Sequence, residues 1–135
     1  MLLRAFAAGF FATLVFHQGL FWVFYRAGAL DRAPWNVAPV PPVGVPAVIS
    51  LAFWGGLWGI ALWLLIRHST GLTHWALAIG LGALLPSLVA LAVVFPLKGG
   101  AFFAGGDPKI LLGALLLNGA WGFGVALLMK LMPRA

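Results

Sequence analysis

Acidic residues are almost absent: Asp31 and Asp107 are the only two in 135 residues. There is no cysteine, which excludes disulfides, thiolate metal sites, iron–sulfur clusters and thioether-attached haem. Charged residues of both signs make up 7% of the chain, where soluble domains carry about 25%. So few charges cannot clothe a soluble surface, and lipid must cover most of the molecule. No carboxylate falls inside an apolar run, which argues against a carboxylate proton relay and against an acid-dependent cation-coupling site. Ser50 and Ser87 have no His–Asp arrangement of the kind a catalytic triad needs. The glycine pairs of GGAFFAGG, positions 99–106, are not followed by GK[ST], so no phosphate-binding loop is indicated. The residues therefore predict neither catalysis nor a resident cofactor.

Apolar residues fill the space left by the missing charge, at 64% of the chain. The central stretch is FWGGLWGIALW at positions 53–63, with three Trp, three Gly and no charged side chain. A surface helix needs a polar face, and this one has none. Extended to 45–66 it matches the roughly 20 residues that cross about 30 Å of hydrocarbon. Similar runs at about 5–25, 75–95 and 110–129 predict an all-α fold, with four transmembrane helices in one bundle and one membrane domain over 1–135. A signal peptide competes for the first run, because Ala27-Gly28-Ala29 resembles a cleavage site. Signal cores run about 7–15 residues, shorter than this run, so a retained helix is expected.

Gly55 and Gly59 stand one helical turn apart, the small-xxx-small spacing that lets helix backbones approach closely in lipid. Gly56-Leu57-Trp58-Gly59 is echoed sixty-three residues later by Gly119-Ala120-Trp121-Gly122. The echo raises a duplicated helical hairpin, with Gly55, Gly59, Gly119 and Gly122 as packing positions. Chance recurrence of Gly and Trp in such a composition is the competing explanation.

Polar side chains within the expected spans are few, and in hydrocarbon they need partners. His17, Ser87 and Asn118 fall at one depth, about 3 Å to the long-loop side of the midplane. Gln18 and Ser50 lie further out. Pro86 withdraws the backbone donor that would serve the Gly82 carbonyl, predicting a kink there. These five polar residues are read as one intramembrane polar site around Pro86. It is either a small cavity for a solute, ion or lipid headgroup, or a hydrogen-bond knot that fixes helix register.

The basic residues sit singly at the ends of apolar runs, as membrane anchors do, not in the clusters that bind nucleic acid. Arg4, Arg67, Lys130 and Arg134 lie on the side of the termini, and Arg26, Arg32, Lys98 and Lys109 on the other. The positive-inside rule is therefore tied. Cytoplasmic termini are favoured because the longer loops are then external. His68 and His74 form a solvated turn and not a metal site, and His17 alone cannot supply bis-His haem ligation. The segment at positions 39–46, PVPPVGVP, is expected to be extended and stiff.

FHQGLFWVFYRAG, PVPPVGVPAVISLAFWGGLWG and LLLNGAWGFGVALL together resemble a group of small four-span bacterial membrane proteins without an assigned activity. The resemblance covers most of the chain and implies a multi-pass bacterial inner-membrane protein. A four-helix fluoride-channel subunit has a similar size, but the chain lacks that family's Thr-Phe-Ser and its intramembrane arginine. Two functional readings follow, both with the lipid bilayer as surroundings. One is an ion or small-solute pore or transporter, formed by several copies in contact through their glycine faces. The other is an accessory or assembly subunit of a larger membrane complex, with no chemistry of its own.

Overall fold

The computed structural model describes residues 1–134. Four helices carry the fold: α1 (Leu2–Arg26), α2 (Ala47–Ile66), α3 (Gly71–Leu97) and α4 (Pro108–Leu131), all long and apolar enough to cross a membrane. The shortest, α2, has 20 residues and so is about 30 Å long, the thickness of the hydrocarbon. The protein is an all-α, multi-pass membrane protein. α3 takes in Gly71–His74, which composition assigned to a polar turn, so only residues 67–70 connect it to α2.

α1 and α4 pack together at the centre, α2 lies against α1, and α3 lies against α4. The core is built largely of small side chains. Ala5, Ala8 and Ala12 of α1 meet Leu62 and Ile66 of α2, Ala78 of α3, and Trp121, Val125 and Met129 of α4. Large side chains such as Phe53, Trp54, Leu65, Leu84, Leu88 and Leu112 point outward. This is the reverse of a soluble protein, and it is stable because hydrocarbon solvates those groups while small residues let the helices approach.

Glycine makes that approach possible at two crossings. In the α1–α2 pair, a Cβ on Gly59 would stand 2.6 Å from Ala5 O and 2.8 Å from Gly9 Cα, and one on Gly55 would collide with Thr13 Oγ1. In the α3–α4 pair, a Cβ on Gly82 would stand 2.8 Å from Gly122 Cα, and one on Gly122 would collide with Ala78 O. The two crossings correspond. Ala5 and Gly9 of α1 match Ala78 and Gly82 of α3, seventy-three residues on, as Gly59 matches Gly122 sixty-three residues on. The hairpin contact is therefore made twice. The echo in sequence catches only half of it, because the offset differs between the first and second helix of each hairpin. Gly119 is not part of it: the nearest atom to a Cβ there is Ala83 Cβ at 3.6 Å, an ordinary contact.

α1 and α3 each contain a π-helical segment, Thr13–His17 and Ala90–Val94. At the first, the Gln18 N–H donates to Thr13 O and Val15 O, which passes over the Leu14 carbonyl that a regular α-helix would use. α3 runs as α-helix through Pro86 to Val89, and its irregularity lies one turn later.

The α1–α2 connection folds back on the bundle. Pro39–Val40 and Val45–Pro46 form a minimal antiparallel hairpin, closed by Gly44 N–H to Val40 O at 2.9 Å. The expected extended segment is thus reversed, with Gly44 at φ 79, where glycine carries no Cβ penalty. Loop carbonyls then cap α2: Ala47 N–H donates to Ala38 O at 2.9 Å and Val48 N–H to Asn36 O at 2.8 Å. These are orphan donors at a helix start with no side-chain cap.

Candidate intramembrane polar sites

The five polar residues do not converge on one point. They fall into two hydrogen-bonded groups, and Ser50, half-buried near the loop end of α2, belongs to neither.

The first group joins α1 to the loop. Gln18, 5% exposed, accepts the Trp35 backbone N–H on Oε1 at 2.7 Å. That bond orients the amide, so Nε2 donates to His17 Nδ1 at 3.0 Å. His17 Nδ1 must then be unprotonated, with its proton on Nε2. The Trp35 indole Nε1 donates to Leu14 O at 2.8 Å. The loop tryptophan therefore serves the very carbonyl that the π-type step leaves without its usual donor. Trp35 does so from φ 52, an uncommon backbone state for a non-glycine residue, maintained here by both bonds. Beside it, a cavity of about 160 Å³ is lined by Gln18, Phe21, Arg32, Asn36 and the first turn of α2.

The second group joins α3 to α4. Asn118 Nδ2 donates to Ser87 Oγ at 2.8 Å, and Ser87 Oγ donates to Ala114 O at 3.3 Å. Ser87 is 2% exposed. Asn118 thus bonds Ser87 and not the Gly82 carbonyl, while Gln18 turns to the loop and takes His17 as its second partner. The reason is lateral: equal depth in the membrane does not place side chains on facing surfaces. Gly82 presses against Gly122 and Asn118, which leaves no room for a long side chain between them.

A third polar junction was not foreseen. Gly9 O, buried at the α1–α2–α4 contact, accepts from Thr13 Oγ1 at 2.9 Å and from Trp121 Nε1 at 3.1 Å. Gly9, Thr13 and Trp35 are the residues that sequence reasoning passed over as sites, and Gly82 entered it only as a free carbonyl and not as a packing position. A small residue at mid-span and a tryptophan in a proline-rich loop were the available signals.

Among the described residues, no group of three His, Cys, Asp or Glu side chains could hold a metal ion. The arrangement can do one thing chemically: it pairs buried polar groups across helices and ties a loop to the bundle. This defines the class of the molecule, a small four-span integral membrane protein with internally bonded polar groups. No protein-family model, curated protein or solved structure matches the chain.

Proposed function

We propose that this protein is an accessory or assembly subunit of a larger bacterial inner-membrane complex, without chemistry of its own, and with both termini cytoplasmic. The observation that carries this reading is the use of the glycine faces. A pore of several copies was expected to close through the glycines of α2 and α4. Gly55 and Gly59 instead seat α1, and Gly122 seats α3, all within one chain. The unit is thereby complete in itself and presents large apolar side chains of α2, such as Phe53, Trp54 and Leu65, to its surroundings. Those side chains and the braced loop are suited to docking against other membrane subunits.

The test is the state of the protein after mild solubilisation from its native membrane. Fixed partners that co-purify in constant ratio are the expected result. A discrete homo-oligomer that conducts ions or a small solute after reconstitution would replace this reading with the pore.

A further inference from the structure

The face that carries both termini holds a cleft of about 710 Å³ between the helix ends, within the roughly 300–1,000 Å³ of small-molecule sites. Its lining includes Arg4, Arg67, Lys130 and Arg134, and no carboxylate. Asp31 and Asp107, the two acidic side chains of the sequence, lie in the connections at the other membrane face, so no acidic side chain neutralises this cluster. Trp63 and Trp75 form part of the wall.

The cations are positioned individually. Arg4 Nη2 donates to Met129 O at 2.9 Å and Met132 O at 3.2 Å, carbonyls at the C-terminal end of α4. Its Nε is buried with no acceptor, so the guanidinium retains an unmet donor. Lys130 Nζ stands 5.9 Å from the centre of the Trp75 ring. Arg67 is exposed, and its Nη1 donates to Met1 Sδ at 3.4 Å. Like charges gathered in one concavity with no acidic side chain among them repel one another, and an anion relieves that repulsion.

We propose that this cleft binds the phosphate-bearing headgroup of an anionic phospholipid. The chemistry that selects it is a phosphoryl group facing arginine and lysine, which bind phosphate by forked hydrogen bonds and by point charge respectively. The location favours a lipid over a soluble phosphate. The cleft lies at the ends of all four spans, at headgroup depth, with tryptophans beside it as in membrane-interface belts. Leu3 and Leu72, 81% and 87% exposed near its level, offer acyl chains an apolar rim. Basic pockets between transmembrane helices hold lipid headgroups in this way. The site is separate from the polar groups described above and does not depend on the proposed subunit role.

The experiment is native mass spectrometry and thermal stabilisation of the full chain in neutral detergent. The added probes are phosphatidylglycerol, phosphatidylcholine or inorganic phosphate. Phosphatidylglycerol is expected to bind about tenfold or more tighter than phosphatidylcholine, since each cation near the surface contributes roughly a fivefold factor. Arg67→Gln with Lys130→Gln should remove most of that preference; both residues are exposed, so the fold is retained. Lys98→Gln with Lys109→Gln, at the opposite face, should leave the preference intact. Equal binding of the two lipids overturns the proposal, as does equal loss in the two double variants. Inorganic phosphate that binds as tightly as phosphatidylglycerol and competes with it would make the cleft a soluble-anion site, and the lipid assignment would be wrong.

Discussion

Trp121 Nε1 donates a 3.1 Å hydrogen bond to the carbonyl of Gly9, across 112 positions of sequence. The bond runs from the centre of α4 to the point where α1 and α2 come closest. A Cβ on Gly9 would run into Gly55 O and Gly59 Cα, so the missing side chain serves the α2 contact while the carbonyl of the same residue receives the indole. Trp121→Phe keeps most of the ring and removes only the donor. It should lower stability by about 0.6 kcal/mol and at most about 1.7 kcal/mol, the measured scale for such bonds in membranes. Reversible unfolding in mixed micelles measures this. Unchanged stability would mean that the Thr13 hydroxyl alone satisfies Gly9.

Substitutions at the glycines should separate into two classes. Gly59→Leu, Gly55→Leu and Gly122→Leu each drive a side chain into a facing backbone or side chain and should cost about 3 kcal/mol or more, or prevent folding. Gly119→Ala and Gly80→Ala meet ordinary contact or open space and should stay within about 0.5 kcal/mol. Leu57→Ala, on an exposed face, should also be mild. Comparable losses at Gly119 and Gly122 would show that the α3–α4 crossing is misplaced.

Trp35→Phe tests the bracing of the loop. The backbone bond to Gln18 survives, while Leu14 O loses its indole donor. The expected cost is about 1 kcal/mol, expressed locally. Amide exchange and protease cleavage in residues 27–46 should rise while the four helices keep their protection. Unchanged exchange in the loop would show that the indole is not what fastens it.

Ser87 and Asn118 should be energetically coupled. Ser87→Ala, Asn118→Leu and the double variant form a cycle whose interaction term should lie near 0.6 kcal/mol. Asn118→Leu alone should destabilise more than Ser87→Ala, because it also sets a bulkier apolar group against the buried Ser87 hydroxyl. A coupling of zero would remove the α3–α4 polar pair as a register-fixing contact.

Much of the architecture was legible in residue order, and much of the site was not. The four apolar runs mark the helices because backbone groups in lipid can only be paired internally. Gly55 and Gly59 were legible as a close-packing face because their spacing is a local property of one helix. Their partners, Ala5 and Gly9, carry the same small-xxx-small spacing in α1, but nothing local to α1 says which other helix that face meets. Depth along the membrane could be counted from the helix ends, and it placed His17 level with Asn118. Rotation about each helix axis could not be counted across the Thr13–His17 π-type segment, which shifts every later residue around α1. That shift accompanies the turning of Gln18 toward the loop.

Composition by itself determined that this chain lives in a bilayer, because so few charges cannot hydrate a surface of this size. Hydropathy and length determined that it crosses four times as helices. The spacing of small residues determined that some helices would touch backbone to backbone. Tertiary structure alone decided which helices those were, that the glycines serve contacts inside the chain, and that the polar groups divide between a loop and a second hairpin. It also gathered four cations from three chain segments into one cleft. The physical reason is range: burial in lipid and small-residue spacing are set by neighbours along the chain. A hydrogen-bond partner or a counter-charge is set by which surfaces meet, and only the packed bundle fixes that.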